Sequence, residues 1–396
     1  MSAEILVRSV RGLEWVVADE VAARLPAAEA VTLAAREVGF RLPEPGTEVL
    51  GLRTVDDAFL VVGTVPEVGP ARTAPPDAAR RIARLDWAGA LDHLSRLRAV
   101  TPLRASPAGP RFDVVASLTG RHNYNRFAVE NAVGAALVPV LGGEYLPRTA
   151  DGRPAGQPEL TVRVFVRGGG ASVALRLADR PLHRRPYKVD TGTGTLHPPV
   201  AAALARLADP APGATVADPF CGDGTVAIET ALSYPDSQVT GSDIDPVRLA
   251  NAARNCERAG VDIPLRQQDA GRFDTGGLDA VLTNPPWSVA VQAGGLLGGS
   301  LDPFWRRLPG LLTPAGRLCL LADLELDAPG RLRRHGYRIA LATQARLAGR
   351  VIQIVLSGPP GRPELPGRPE PPELPERLAG WHRAAIAAGV VTGAGF

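Results

Sequence analysis

Asn284-Pro285-Pro286-Trp287 closes an apolar run, LDAVLTNPPW, and its residue types suit chemistry on a planar amino group. Two prolines donate no N–H, so this corner offers carbonyl acceptors with few local donors to occupy them. The Asn284 side-chain oxygen and the Pro285 carbonyl can both accept from one exocyclic NH2. Such bonds favour a pyramidal nitrogen whose lone pair can point at an electrophilic methyl, and Trp287 supplies a face for stacking a base, worth about 1–3 kcal/mol. No strong general base is needed, because the nitrogen becomes acidic once methylated. A strand-to-loop turn with a core Trp is the plainer reading of the same four residues.

The methyl source is suggested by Ala214 to Thr225, ATVADPFCGDGT, a short buried strand running into a glycine turn that opens the helix VAIETALSYP. Asp218 at the strand end, then Gly222 and Gly224, lets backbone lie close against a flat cofactor. The next strand, SQVTGSDIDP, ends at Asp243 and Asp245, placed about 20–25 positions on to accept hydrogen bonds from ribose hydroxyls. A nicotinamide enzyme and an S-adenosylmethionine (SAM) enzyme both need that contact. The turn lacks the third glycine of G-x-G-x-x-G that serves a pyrophosphate, and SAM has no phosphate to cradle. A third strand ends in Gln267-Gln268-Asp269-Ala270, where a carboxylate or amide can reach an adenine amine; a simple strand-end turn is the alternative.

DPFCGDGT, GSDIDP, QQDA and TNPPW, in this order, resemble the motifs of class I SAM-dependent methyltransferases acting on exocyclic amino groups. The N-terminal half, with Phe112 onward and Gly120-Arg121-His122-Asn123-Tyr124-Asn125-Arg126, resembles a THUMP domain, an RNA-binding module. Together they resemble the THUMP-containing RNA guanine-N2 methyltransferases, most closely the bacterial and archaeal tRNA enzymes that modify the acceptor stem. The resemblance implies an α/β chain: an N-terminal α+β ferredoxin-like and THUMP region, then a Rossmann-like, mostly parallel seven-stranded sheet ending in an antiparallel hairpin. It implies SAM contacts at Asp218, Pro219, Phe220, Cys221, Gly222, Gly224 and Thr225. Further contacts are implied at Asp243, Ile244, Asp269, Ala270 and Asn284, with Asn284, Pro285, Pro286 and Trp287 holding the target base. Leu182-His183-Arg184-Arg185-Pro186-Tyr187-Lys188 matches the family's basic segment except at Pro186, where glycine is usual. After Trp287 the family often has a glycine and a basic residue, whereas here SVAVQAGGLLGGSLDPFWRRL follows, a glycine-rich loop able to close over substrate or to mark a different base.

These side chains must be positioned by elements that periodicity predicts. ILVRSVRG reads as a strand, LEWVVADEVAARL as an amphipathic helix, AVTLAAREVGFRLP as extended segments, and VLGLRTVDDAFLVVGTV as strand, helix and strand. ARRIARLDWAGALDHLSRL reads as one helix, followed by the loop TPLRASPAGP. RFDVVASLTG is a strand, and a polar cluster then leads into the helix RFAVENAVGAALVPVL. LTVRVFVRGGGASVALRLAD is a hairpin turning at Gly168-Gly169-Gly170. The boundaries that follow are 1–70 for a ferredoxin-like subdomain, 71–180 for a THUMP-like domain, 181–200 for a basic linker, 201–358 for the methyltransferase domain and 359–396 for a proline-rich tail with a short helix. Arg121, His122, Asn123 and Arg126 at a helix start suit phosphate and sugar contacts. His183, Arg184, Arg185 and Lys188 make the linker a second phosphate-holding segment.

Length and charge fit this arrangement. At 396 residues the chain is long enough for two domains, each with its own core. Net charge is only +3, yet residues 101–213 carry 14 basic against 8 acidic side chains, so positive charge gathers where a phosphate surface would be useful. No apolar run is long enough to span a bilayer and MSAEILVRSV lacks a secretory pattern, so a cytoplasmic, monomeric enzyme is expected. Cys221, Cys256 and Cys319 lie far apart, which indicates neither disulfides nor a metal site. Three rivals stay open: the same chemistry on another RNA or on DNA adenine, a nicotinamide oxidoreductase, and a non-catalytic RNA-binding protein with a residual SAM pocket.

Overall fold

The computed structural model describes residues 2–44, 46–98, 109–286, 294–360 and 373–391. The predicted loop at 101–108, Trp287 and most of the proline-rich tail lie outside them. In the N-terminal half, chain order is β1 (Ala3–Arg8), α1 (Glu14–Arg24), β2 (Glu29–Ala34), β3 (Glu37–Leu42), β4 (Asp57–Val65), α2 (Ala74–Ile82) and α3 (Trp87–Leu97). It continues with β5 (Arg111–Leu118), α4 (Arg126–Leu141), β6 (Glu144–Tyr145), β7 (Leu160–Arg167) and β8 (Gly170–Arg176).

The C-terminal half follows with α5 (Pro198–Ala208), β9 (Thr215–Asp218), α6 (Thr225–Ser233), β10 (Gln238–Asp243), α7 (Pro246–Ala259), β11 (Leu265–Gln267) and β12 (Leu278–Thr283). It closes with α8 (Asp302–Arg307), β13 (Leu312–Asp323), α9 (Ala328–Arg334), β14 (Arg338–Leu347), β15 (Arg350–Gly358) and α10 (Glu376–Ala387).

The N-terminal strands form one eight-stranded sheet, ordered β2-β3-β1-β4-β8-β7-β5-β6. Antiparallel pairing of β4 with β8 joins the stretch before residue 70 to the hairpin near 170 in a single sheet. Three local expectations change, the first being that no α-helix directly precedes β4. The stretch Thr47–Gly51 is a 3-10 turn, not a strand. The single helix expected over 79–97 is two, because the Asp86 side chain accepts from the Gly89 backbone N–H and starts a new helix there.

The C-terminal sheet is ordered β11-β10-β9-β12-β13-β15-β14, with the first five strands parallel and β14–β15 an antiparallel hairpin, as expected. Val216, Val281, Leu282, Leu318 and Leu320 are all but fully buried, which is what strands covered on both faces require. Strand β9 has β10 on one side and β12 on the other, so the chain reverses direction of travel there. Ligands bind at the carboxyl ends of strands at such a switch point. Helix α7 begins with Asp245 accepting from Val247 N–H and with Pro246 in its first turn; it ends at Gly260, at φ 66°.

The two halves are locked by buried charge. Glu229 on α6 is fully buried and accepts from Arg53 Nε at 2.8 Å, Arg185 Nε at 3.0 Å and the Tyr187 hydroxyl at 2.8 Å. Asp19 on α1 accepts from Arg206 on α5 and from Arg377 on α10. Helix α10 sinks Leu378 and Ala385 into the core shared with α1 and α5, and His382 meets Trp15 edge-on at 4.8 Å.

Candidate functional site

A cavity of about 510 Å³ opens at the carboxyl ends of β9, β10 and β12. The β9–α6 turn forms its floor. Gly222 and Gly224 have φ of +51° and +84°, conformations that side chains disfavour. Their crowding comes from the protein and not from the cavity: a Cβ on Gly222 would lie 2.7 Å from Arg248 Nη2, and one on Gly224 would lie 3.1 Å from Ala252 Cβ. The glycines therefore let the turn pack against α7, a demand in addition to the close cofactor approach that the spacing suggests.

Asp218 is the buried charge of this floor. Its Oδ1 accepts from Thr283 Oγ1 at 2.8 Å and from Phe220 N–H at 3.2 Å, whereas Oδ2 has no protein partner. Burial pushes its pKa up to about 7, with the nearby Asp243 carboxylate adding to the rise. Asp243 accepts from Gly222 N–H at 2.8 Å and Asp245 N–H at 3.0 Å, which fixes its carboxylate at the cavity wall. Ile244, beside it, is 42 % exposed and lines the cavity, an apolar surface suited to a flat base. Asp269 and Ala270 also line it, and Asp269 accepts from Gly271 and Leu296 N–H, both at 2.8 Å. The chain returning from the glycine-rich loop thus seats its Gly295–Leu297 turn on Asp269.

Pro219, Phe220, Cys221 and Thr225 line the same cavity, as do Asn284, Pro285 and Pro286. Cys221 is buried and its thiol is pushed well above the ordinary value by burial, as a packing residue would be. The Asn284 amide approaches the Gly194 carbonyl at 3.5 Å. Trp287, the expected stacking face, lies outside the described residues. The structure thus brings the four motifs together around one cavity, with Gly224 just behind its wall at the start of α6.

One wall was not anticipated. Thr193, Gly194, Thr195 and Leu196, in the stretch expected to be linker, run along the cavity. They are held there by Gly192 N–H on Asp223 at 2.7 Å, by Arg248 on the Thr193 carbonyl at 2.6 Å and by Asn255 on the Asp190 carbonyl at 2.9 Å. Alternating glycine and threonine, TGTGT, was the available signal. Asp223 and Arg248 form an ion pair at 2.9 Å beneath this strap.

The basic segments divide. Arg121, Asn123, Arg126 and Arg184 are exposed, and His122 is half-buried against Tyr124 with ring centroids 5.0 Å apart. Arg185 and Lys188, expected to hold phosphate, instead point inward. Arg185 is spent on Glu229, and Lys188 donates to the Leu196 carbonyl with its pKa pushed down to about 8 by burial. His183 sits half-buried with Nδ1 3.1 Å from the Asp56 carbonyl oxygen. A run of cations in sequence does not say whether it faces solvent or a buried carboxylate.

A doubly wound sheet with a final antiparallel hairpin, a glycine turn after its first strand and acidic residues closing the next two strands define a class I SAM-dependent methyltransferase. The Asp218 oxygen without a protein partner and the exposed Ile244 face fit a cofactor that carries both a cationic amine and a flat base. Residues 185–349 match the UPF0020 family model, described as RMKL-like methyltransferase domain. The tRNA (guanine(6)-N2)-methyltransferase of Thermus thermophilus is 33 % identical over 319 residues, 78 % of this chain and 86 % of that enzyme. The crystal structure of TrmN from Thermus thermophilus superimposes with a TM-score of 0.70 at 30 % identity, covering 90 % of this chain and 99 % of that one. SMU.472, a putative methyltransferase solved with SAH, shares the fold at TM-score 0.68 and 18 % identity, over 91 % of this chain and 99 % of that one. The chain belongs to the family of SAM-dependent RNA methyltransferases that includes the Thermus enzyme.

Among the described residues no group of three or more His, Cys, Asp or Glu could hold a metal ion, and no helix is long and apolar enough to cross a membrane.

Proposed function

We propose that this chain transfers a methyl group from SAM to the N2 amino group of a guanosine in tRNA, in the acceptor stem at position 6. The observation that carries this reading is that Asn284 and Pro285 open into the same cavity as Asp218 and Asp243. The name of the Thermus relative supports the choice of guanine and of tRNA. When bound, SAM supplies an electrophilic methyl on a sulfonium. In this reading Asp218 Oδ2 accepts from its ammonium, Asp243 from the ribose hydroxyls and Asp269 lies by the adenine, which Ile244 covers. The guanine is flipped out of its stack, since a paired amine cannot reach a buried methyl donor. Asn284 Oδ1 and the Pro285 carbonyl accept the two N2 hydrogens and aim the lone pair, and the proton leaves to water after transfer. Residues 1–180, the ferredoxin-like and THUMP-like regions, grip the RNA through Arg121, His122, Asn123 and Arg126, with Arg184 of the linker a further contact.

Transfer from labelled SAM to tRNA without native modifications, followed by nucleoside mass spectrometry, tests the reaction. N2-methylguanosine is expected; methyladenosine would refute the substrate while leaving the fold and chemistry. Asn284→Ala should abolish turnover, a loss of about 10²-fold or more, with the SAM Kd nearly unchanged. Undiminished turnover in that variant removes Asn284 from the reaction.

A further inference from the structure

Beyond the cavity, the seam between the two sheets places exposed arginines close together, outnumbering the carboxylates that face them. Arg11, in the turn between β1 and α1, forms an isolated antiparallel bridge with Arg346 on β14, and the Arg346 N–H donates to the Arg11 carbonyl at 2.8 Å. Gly12 is pressed on the same strand, where a Cβ would lie 2.2 Å from the Gln344 carbonyl oxygen. Residues directly opposite in such a bridge share a face, and like charges there are destabilising. Both arginines are exposed, and among the described residues no carboxylate lies within 4 Å of either cation.

The surroundings repeat the pattern. The Arg36 carbonyl holds Ser9 N–H at 3.0 Å, which sets Arg36 beside the end of β1; its side chain is 55 % exposed and its guanidinium stands 4.0 Å from the Asp56 carboxylate, at the limit of an ion pair. Arg8 and Arg167 share a single carboxylate, Glu37, which is itself buried. Glu14 is fully buried and spends both oxygens on backbone N–H groups of Gly12 and Arg36. Glu14 and Glu37 are thus sunk beneath the surface, whereas Arg11, Arg36, Arg167 and Arg346 reach it. At the other end, Arg346 leads into the β14–β15 turn, whose Leu347, Ala348 and Arg350 line the cavity, with the Arg350 guanidinium 4.0 Å from the Asp323 carboxylate.

We propose that Arg11, Arg36, Arg167 and Arg346 form a phosphate track that carries the sugar-phosphate backbone of the RNA over the domain seam to the cavity mouth at Arg350. This rests on the reading that the substrate is RNA. A polyanion relieves the Arg11–Arg346 repulsion, and the track reaches the reactive site from the catalytic domain's own hairpin, not through the linker arginines. Phosphate contacts of this kind position the substrate and carry no base preference.

The test is the double variant Arg11→Ser with Arg346→Ser, its Lys/Lys counterpart, and the wild-type chain, each titrated with unmodified tRNA transcript over a salt series. Removing two phosphate contacts should lower the slope of log K against log salt by about 1.5 and weaken Kd at least tenfold at low salt. The Lys/Lys variant should restore both. The SAM Kd should not change, and Tm should hold or rise, since a repulsive pair has been removed. An unchanged RNA Kd and slope in the Ser/Ser variant, with wild type methylating the transcript, overturns the track. A Ser/Ser variant that unfolds at lower temperature, with Lys/Lys failing to restore binding, also overturns it. If the wild-type chain neither binds nor methylates any RNA, the substrate reading itself fails, and the track with it.

Discussion

Replacing Asp218 by Asn probes the cavity floor most directly. The substitution keeps size and shape, and Oδ1 can still accept from Thr283 and from Phe220 N–H. What changes is the oxygen that has no protein partner, which becomes an NH2. The wild-type carboxyl is lifted by burial from 3.8 to about 7. At roughly 1.36 kcal/mol per pKa unit, holding it ionised without a ligand costs on the order of 4 kcal/mol. The sign follows from proton counting. Between pH 4 and 7 the native chain binds more protons at this group than the unfolded chain, so its contribution to stability falls as pH rises, with the full cost present above 7.

The variant escapes that cost but buries an amide without an acceptor, which returns about 1–3 kcal/mol. Its Tm without ligand should therefore exceed wild type at pH 8.5 by several degrees, at about 2–4 °C per kcal/mol for a domain of this size. The gain should vanish near pH 5, where the wild-type carboxyl is already neutral. SAM binding should move the opposite way. Loss of a charge-assisted bond to the ammonium is worth about 1.5–3 kcal/mol, or roughly 10- to 150-fold in Kd. Wild-type affinity should also tighten from pH 5 to 7, with uptake of ligand releasing a proton. Thermal shift across pH, together with calorimetry in two buffers of different ionisation heat, reads all of these. A Tm gain that is the same at pH 5 and 8.5, or an unaltered SAM Kd, would refute the assignment of Asp218 as a strained carboxylate awaiting a cation.

Two further perturbations test the scaffold. Glu229→Gln leaves Arg53 and Arg185 facing a neutral group at a buried joint and should cost about 3–5 kcal/mol, measured by urea unfolding. A loss below about 1 kcal/mol would mean the joint is not held by this carboxylate. Gly222→Ala puts a side chain at φ +51° and against Arg248, so SAM affinity should fall about tenfold with a loss of about 1–2 kcal/mol in stability; wild-type affinity would show that the turn tolerates a Cβ.

What sequence could reveal here divides by the range of the interaction. The β9–α6 turn was legible because positive φ at Gly222 and Gly224 is a local demand that leaves a residue signature. The order of strands with acidic ends was legible for the same reason, since each contributes its residue at its own terminus. The eight-stranded sheet was not, because its unity rests on β4 meeting β8 more than a hundred residues later. The strap at 193–196 escaped because glycine and threonine make equally good linker, and Asp223, Arg248 and Asn255, which hold it to the cavity, lie far along the chain. Arg185 and Lys188 read as phosphate binders for a related reason. Their true partners, Glu229 and the Leu196 carbonyl, leave no mark beside them in the chain.

The position of Glu229 gives the joint a functional meaning beyond stability. It lies one helical turn after Thr225, the residue that opens α6 at the cofactor turn, so both lie on the same side of one short helix. Arg53 reaches it from the N-terminal domain, Arg185 and Tyr187 from the linker, and the same linker continues into the strap on the cavity. The path from the N-terminal half to the cavity through this joint is therefore only a few residues long; in the proposed reading it helps set the distance from the RNA to the methyl donor. A base must be delivered within about 3–3.5 Å of the reacting methyl, and rates fall steeply with misplacement of an ångström. Loosening this joint should therefore show first in turnover on full-length RNA, with SAM binding, whose cavity lies at the strand ends of the C-terminal sheet, affected least.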